Sequence, residues 1–377
     1  MIDFLNSLTA LHLTLFLILG ISLFIQICYY LFVFSRLAFY KAKKDHHEQK
    51  PVSIVIAARN ESENLKQNLR SVLEQSYPDF EVIVVNDCSW DDSQDFLDEL
   101  ENKYKNLKVV TLQEQARYSH GKKFALTMGI KAATHELLLL TDADCMPASK
   151  HWLENMQQHF NERTNIILGY GAYQKKDGLL NKIIRYDTFY SAMQYLSFSL
   201  AGLTYMGVGR NLAYRKSLFF QNKGFAKHQH ILSGDDDLFI NEVATSSNTA
   251  IEIKSDSFTL SVPKNTFTEW LKQKKRHIST SHLYKTKYKI LLALLSFSQF
   301  TFYASLIALL AIQLDWRIIS ALYGFRLLVQ YIIAGKSMKR LRETDLLWIL
   351  PLLDFFLILF YIILALSNTF VKQRKWK

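Results

Sequence analysis

Cysteine is scarce in this chain, with three residues in 377: Cys28, Cys88 and Cys145. The number is odd and no two stand at a zinc-site spacing, so neither a zinc module nor a disulfide framework organises the fold. Reduced thiols of the cytosolic kind are the simplest reading. The first seven positions carry Asp3 and no basic residue. The apolar stretch behind them is too long for a cleaved secretory signal, so a retained anchor is expected over residues 1–36. Internal repeats, low-complexity tracts and nucleic-acid-binding motifs are also missing, and no nucleic-acid partner is expected.

Long apolar runs are plentiful. Residues 8–34 are nearly free of charge, and residues 290–314 and 346–366 repeat the pattern. Each is long enough to cross a bilayer as a helix. Residues 316–335 are apolar too but contain Arg317, Arg326 and Gln330, and charges inside a span face protein or water. The net charge is +11, and the basic residues cluster beside the apolar runs, at 41–44, 272–277, 285–289, 336–342 and 372–377. That placement follows the positive-inside rule and suits anionic lipid head groups. It predicts a multi-pass protein of the cell membrane, with its polar domain on the cytosolic side and membrane lipids as partners. Four crossings would put the basic tail outside. A re-entrant segment 346–366, broken near Pro351 and Asp354, removes that conflict, so two or three C-terminal crossings over 290–370 remain open.

Between the anchors, residues 51–285 read as one soluble domain. Strand-like runs at 52–58, 81–85, 108–112 and 136–140 alternate with helical patterns at 61–75, 91–104 and 121–133, and a fifth strand is expected at 165–168. This alternation predicts an α/β domain with a mostly parallel sheet. Residues 179–206 are rich in Tyr, Phe, Leu and Met. They read as either domain core or an interfacial helix, and their aromatics tip the reading toward the interface.

The fourth strand ends in Asp142 and Asp144. Acids at i, i+2 on a strand point to one face. Two carboxylates side by side repel unless a cation sits between them, and hard oxygen ligands suit Mg²⁺ or Mn²⁺. Other polar signals stand where strands end: Arg59, Asn60 and Glu61 after the first, Asp87 after the second. Asp87 also has a plain alternative as a helix cap, shared with Asp92. Asp235, Asp236 and Asp237 precede an apolar helix.

In this order, Ala57-Ala58-Arg59-Asn60-Glu61, Asp87, Gly121-Lys122-Lys123, Asp142-Ala143-Asp144, Gly234-Asp235-Asp236-Asp237 and Gln273-Lys274-Lys275-Arg276-His277 resemble the inverting family-2 glycosyltransferases. The resemblance covers roughly residues 52–281. It is strongest to membrane-anchored members such as ceramide glucosyltransferases and the cellulose, hyaluronan and poly-N-acetylglucosamine synthases. It implies the nucleotide-sugar-binding fold called GT-A. It also implies transfer of a sugar from a nucleotide sugar, most simply UDP-linked, to a lipid, a lipid-linked glycan or a polysaccharide. Ala57, Arg59, Glu61, Asp87, Lys122, Asp142, Gln273 and Arg276 would then bind the donor, with Lys123 in reserve for Lys122. Asp144 and Asp142 would hold the metal. Asp236 would take the acceptor proton, with Asp237 one residue away as the alternative, and Asp235 would orient the acceptor. Arg210, Asn211 and His277 would face the acceptor; His277 stands where the family has Trp, and Trp270 lies one helical turn ahead of Gln273. A nucleotidyltransferase would want a Gly-rich loop after the first strand, where Ala57-Ala58-Arg59 stands instead. A non-catalytic nucleotide-binding membrane protein would not need Asp236 or the Gln273/Arg276 pair.

Overall fold

The computed structural model describes residues 9–41, 48–114 and 121–368, with side chains to Leu364. The polar loop at 115–120, most of the linker at 42–47 and the basic tail at 372–377 lie outside the described residues.

The first apolar run forms one helix, α1 (Ala10–Ala38), with a π-helical stretch at Tyr29–Phe34. The soluble pattern then starts with β1 (Val52–Ala58), whose seven residues are all buried. Burial on both faces is what a central parallel strand requires and is why the run does not alternate. There follow α2 (Ser62–Leu73), β2 (Phe80–Asp87), α3 (Ser93–Lys103), β3 (Leu107–Leu112), α4 (Lys122–Ala132) and β4 (Leu137–Leu140). β1 pairs in parallel with both β2 and β4, and β2 with β3. These four strands are a continuous parallel block, as the alternation predicts.

The chain continues through β5 (Cys145–Pro147), α5 (Trp152–Gln157), β6 (Ile166–Leu168), β7 (Gly171–Tyr173), α6 (Leu179–Leu200), β8 (Leu212–Arg215), α7 (Lys216–Gln221), α8 (Asp237–Val243), β9 (Thr249–Ile251), β10 (Thr259–Ser261) and α9 (Phe267–Ile278). The large sheet has the order β3-β2-β1-β4-β8-β6-β9. The expected fifth strand is β6, but it is not the parallel neighbour of β4. β8 lies between them and runs antiparallel to both. Strand order reverses between β1 and β4, and ligands of open α/β sheets bind beyond the carboxyl ends of strands at such a point. A small sheet, β5-β10-β7, begins at Cys145 directly after Asp144.

The interfacial reading of residues 179–206 is overturned. In α6, 14 of 22 residues are buried. Tyr186, Phe189, Met193, Leu196 and Phe198 sit at 2% exposure or less, inside the core shared by the domain and the apolar helices. Its aromatics pack against protein, so this helix is core.

Three further apolar helices follow: α10 (Thr286–Ala311), α11 (Trp316–Arg340) and α12 (Leu350–Asn368). With α1, four helical segments are long and apolar enough to cross a membrane. The two charges that look misplaced in the sequence meet each other. Arg326 of α11 is fully buried and its Nη2 donates to Asp354 Oδ2 of α12 at 2.8 Å. α12 runs alongside the domain instead of away from it. Glu343, just ahead of it, accepts from Arg185 Nε of α6 at 2.9 Å, and Tyr361, near its end, donates to Asp187 two residues further along α6 at 2.6 Å.

Candidate active site

The acids at the end of β4 meet the acid run through one lysine. Lys122 opens α4, and its Nζ lies 2.9 Å from Asp142 Oδ1 and 2.9 Å from Asp235 Oδ2. Burial would lower its pKa, but the two carboxylates hold it well above the ordinary value, so the ammonium stays charged. The same contact works in reverse: against the upward push of burial, Lys122 keeps Asp235 below the usual carboxylate range. Lys123 is not part of this site. Its Nζ donates to the carbonyls of His228 (2.7 Å) and Ile231 (3.1 Å), anchoring the segment ahead of the acid run.

Three consecutive acids take three different roles. Gly234, at φ +94°, makes the turn that a side chain would strain. Asp235 faces Lys122. Asp236 caps α8: its Oδ1 accepts from the Asp237 amide and its Oδ2 from the Gly209 amide, both at 2.7 Å. A Cβ on Gly209 would stand 3.3 Å from Asp236 Oδ2, so the glycine permits this close approach. Asp237 also borders the cavity and accepts from Tyr284 OH at 2.7 Å and from Thr280 Oγ1. Its carboxylate is committed to these two side chains and is buried, whereas Asp236 is only partly so. Burial, with Asp235 and Asp237 as neighbours, pushes the Asp236 carboxyl up to about 7.

Asp142, Asp144 and Cys145 place one ligand atom each within 4.8 Å of one another. Burial and the adjacent Asp142 raise the Asp144 pKa, the signature of two acids short of a cation. Burial also holds the Cys145 thiol protonated, and its Sγ lies 3.0 Å from Ser261 Oγ. The usable donors are therefore two hard carboxylates, a set that fits Mg²⁺ or Mn²⁺ and not a thiophilic metal.

One cavity of about 790 Å³ collects most of the expected residues: Lys122, Asp142, Asp144, Arg210, Asp235, Asp236, Gln273, Arg276 and His277. Arg210 is held on the metal side of it. Its guanidinium donates to Gly171 O at 2.9 Å and to Ser261 Oγ at 3.2 Å and lies 4.5 Å from the centre of the Tyr173 ring. His277 faces the cavity. Desolvation in the cavity, with Lys274, Arg276 and Arg210 nearby, lowers the imidazole pKa of this otherwise exposed side chain. Ala57, Arg59, Glu61 and Asp87 do not line the cavity; they stand at the adjoining ends of β1 and β2. Asp87 is fully buried, with Arg59 Nη1 3.8 Å from its Oδ2. It caps no helix. Asp91 does that work, accepting from the amides of Ser62 (2.9 Å) and Ser93 (3.1 Å).

Asn211 is a correction. It is fully buried, and every polar atom of its side chain is engaged: Oδ1 accepts from Trp152 Nε1 at 3.0 Å, and Nδ2 donates to Tyr170 O (3.1 Å) and Ser257 O (2.7 Å). It braces α5 and the segments that lead into β7 and β10, and it does not line the cavity. Asn211→Ala is expected to destabilise the protein by about 3 kcal/mol or more, since three buried groups lose their partner. A lowered thermal midpoint measured in detergent checks this. Trp270, 1% exposed, borders the cavity and is stacked on Phe360 with ring centres 4.4 Å apart.

Sequence reasoning missed Lys274. Its Nζ lies 2.7 Å from Asp187 Oδ2, fastening α9 to α6 beside the cavity. Asp187, a rare acid in an aromatic run, was the available signal.

Residues 53–220 match the model of glycosyl transferase family 2. The stretch from β1 into α7 is thus similar to the family-2 glycosyltransferases. Over 183 residues the chain is 31% identical to a poly-beta-1,6-N-acetyl-D-glucosamine synthase of Staphylococcus epidermidis, covering 46% of the chain and 42% of that protein. Over 105 residues it is 33% identical to the glycosyltransferase AglE of Haloferax volcanii, covering 27% of the chain and 33% of that protein. The matches thus span less than half the length of these relatives. In fold it resembles a mannosyltransferase of Pyrobaculum calidifontis solved with GDP-Man and Mn²⁺. That likeness has a TM-score of 0.60 at 17% identity and covers 96% of this chain and 100% of that one, so it concerns the fold alone.

Proposed function

We propose that the protein is an inverting, metal-dependent glycosyltransferase that moves a sugar from a nucleotide sugar to a hydroxyl acceptor at the cytosolic face of the membrane. The observation that carries this reading is a single cavity with a tight acid pair, Asp142 and Asp144, at one wall and an acid poised near neutrality, Asp236, at another. A general base works best when its pKa lies near the operating pH. Ala57, Arg59, Glu61 and Asp87 bind the nucleoside at the ends of β1 and β2. Lys122 and Arg276 carry positive charge toward the diphosphate, and Gln273 lies on the same wall. Asp142 and Asp144 would hold Mg²⁺ or Mn²⁺, which when bound would neutralise negative charge on the diphosphate. The acceptor oxygen forms a bond to the anomeric carbon while the bond from that carbon to the diphosphate oxygen breaks. The electron pair leaves with the nucleoside diphosphate and the acceptor proton passes to Asp236. Gly209 and the Asp237 amide aim the Asp236 carboxylate, and Asp235 holds Lys122 in place.

The orientation rests on charge. Lys285 and Arg340 stand at the ends of α10 and α11 that meet the domain, bonded to Glu242 O and Ala38 O. Basic residues at that end favour the cytosolic side.

The testing experiment is calorimetry of the purified protein with Mn²⁺ against UDP- and GDP-linked sugars. Saturable binding of one of them is expected; no heat with any would refute the reading. The pH profile gives a second check. A base must be unprotonated to act, so transfer is expected to rise with pH through about 7 and level off above it. A flat profile from pH 5 to 9 would remove Asp236 from the role.

A further inference from the structure

The cavity does not end at the domain. Ala293, Ser296, Phe297 and Phe300 of α10 line it, and they are spaced i, i+3, i+4 and i+7, one helix face. All four are also exposed, Phe297 at 65%. Leu357, Ile358 and Ile362 of α12 line the opposite side. The lower half of the cavity is thus an apolar slot between two helices, within the part of the chain built to sit in lipid, and it is continuous with the acids above.

The slot has a floor. Asp354 lines the cavity, and behind it Arg326 donates from Nε to Gln26 Oε1 of α1 (2.7 Å) and from Nη1 to Tyr303 OH of α10 (3.2 Å) and Gln330 Oε1 (3.1 Å). Tyr303 OH donates to Asp354 Oδ2 at 2.8 Å. One guanidinium therefore ties α1, α10, α11 and α12 together. Among the described residues, none of α1 or α11 lines the cavity. A buried pair of this kind is held only while it stays dry and fully bonded. A hydrated sugar chain has no way past it.

Midway, Lys274 of α9 is already answered: it is paired with Asp187, which also accepts from Tyr361. The walls there offer hydroxyls and amides, with Gln299 donating to Tyr190 OH at 2.7 Å. Such a lining takes an uncharged head that carries hydroxyls.

We propose that the acceptor is a membrane lipid with an uncharged, hydroxyl-bearing head, which enters sideways from the bilayer through the slot between α10 and α12. The Arg326–Asp354 pair closes the floor, so no glycan is threaded through the helices. This rests on the transferase reading above and decides the acceptor within it.

The test uses the full-length protein in vesicles of total membrane lipid extract, supplied with Mn²⁺ and a labelled nucleotide sugar that it binds. Label is expected in chloroform-soluble product with one sugar per lipid. Label in aqueous product of high molecular mass, or only on an added soluble oligosaccharide, would overturn the proposal. Label only on lipids retained by an anion exchanger would overturn the uncharged head. Ala293→Trp with Ser296→Trp fills the slot; lipid-directed transfer should fall at least tenfold while donor affinity and slow donor hydrolysis by water persist. Unchanged transfer to lipid would count against the route. Loss of donor binding and hydrolysis in the unmodified protein would instead sink the transferase reading itself.

Discussion

Asp236→Asn leaves donor binding in place and lowers transfer by about 10²–10⁴-fold, the range a positioned general base contributes. Asparagine keeps the shape, and its one oxygen can still accept from the Asp237 amide, so α8 keeps its cap while the bond from the Gly209 amide is lost. What it loses is the ability to take a proton. Its neighbours make the test selective. Asp235 is tied to Lys122, and Asp237 to Thr280 and Tyr284. Neither can replace Asp236 without giving up a bond that holds the site together. Asp237→Asn therefore serves as the contrast. It should reduce thermal stability and leave a folded fraction with transfer intact. If Asp237→Asn abolished turnover and Asp236→Asn did not, the assignment would be reversed. Single-turnover rates with saturating donor separate chemistry from binding.

Asp144→Ala removes the Mn²⁺ dependence of donor binding and weakens donor affinity on the order of 100-fold, equivalent to the several kcal/mol a bound cation supplies to diphosphate charge. The reason is geometric. Asp142 is shared with Lys122, whereas Asp144 faces Arg210 and the carboxyl of Asp142, and burial leaves it short of positive charge. Removing Asp144 leaves one carboxylate, already committed to an ammonium, to hold a divalent ion. Titration calorimetry with and without Mn²⁺ reads the effect. Donor affinity that stays the same, and still depends on Mn²⁺, would place the ion elsewhere. Asp144→Asn should give the same direction with a smaller loss, because it keeps the volume and one oxygen.

Much of the site was legible because each motif sits where local physics puts it. β1, β2 and β4 end in polar residues because an all-apolar strand must stop where the sheet meets solvent, and Asp142 and Asp144 mark that edge. Acids ahead of an apolar helix favour its N-terminus, as Asp236 does at α8. Other residues were misassigned for an equally physical reason. Asn211 stands beside Arg210 in a loop with glycines and looked like a second donor to the acceptor. Only the packing of Trp152, Tyr170 and Ser257 around it shows that its side chain is spent. The aromatics of α6 suit an interface and a core equally, and residue type alone cannot say which partner covers them. Lys122 and Lys123 are neighbours of one type, yet helix phase sends one into the cavity and the other to the carbonyls of His228 and Ile231.

By itself the sequence determined the alternation that builds the sheet, the apolar segments before and after it and the acids at strand and helix ends. All of these follow from periodicity and composition within short windows. Tertiary structure alone decided that Arg326 answers Asp354, that Lys274 answers Asp187, and that one cavity joins the acids to the slot between α10 and α12. Those pairings link residues from 28 to 87 positions apart. Their energies depend on distance and burial in three dimensions, which no local pattern encodes.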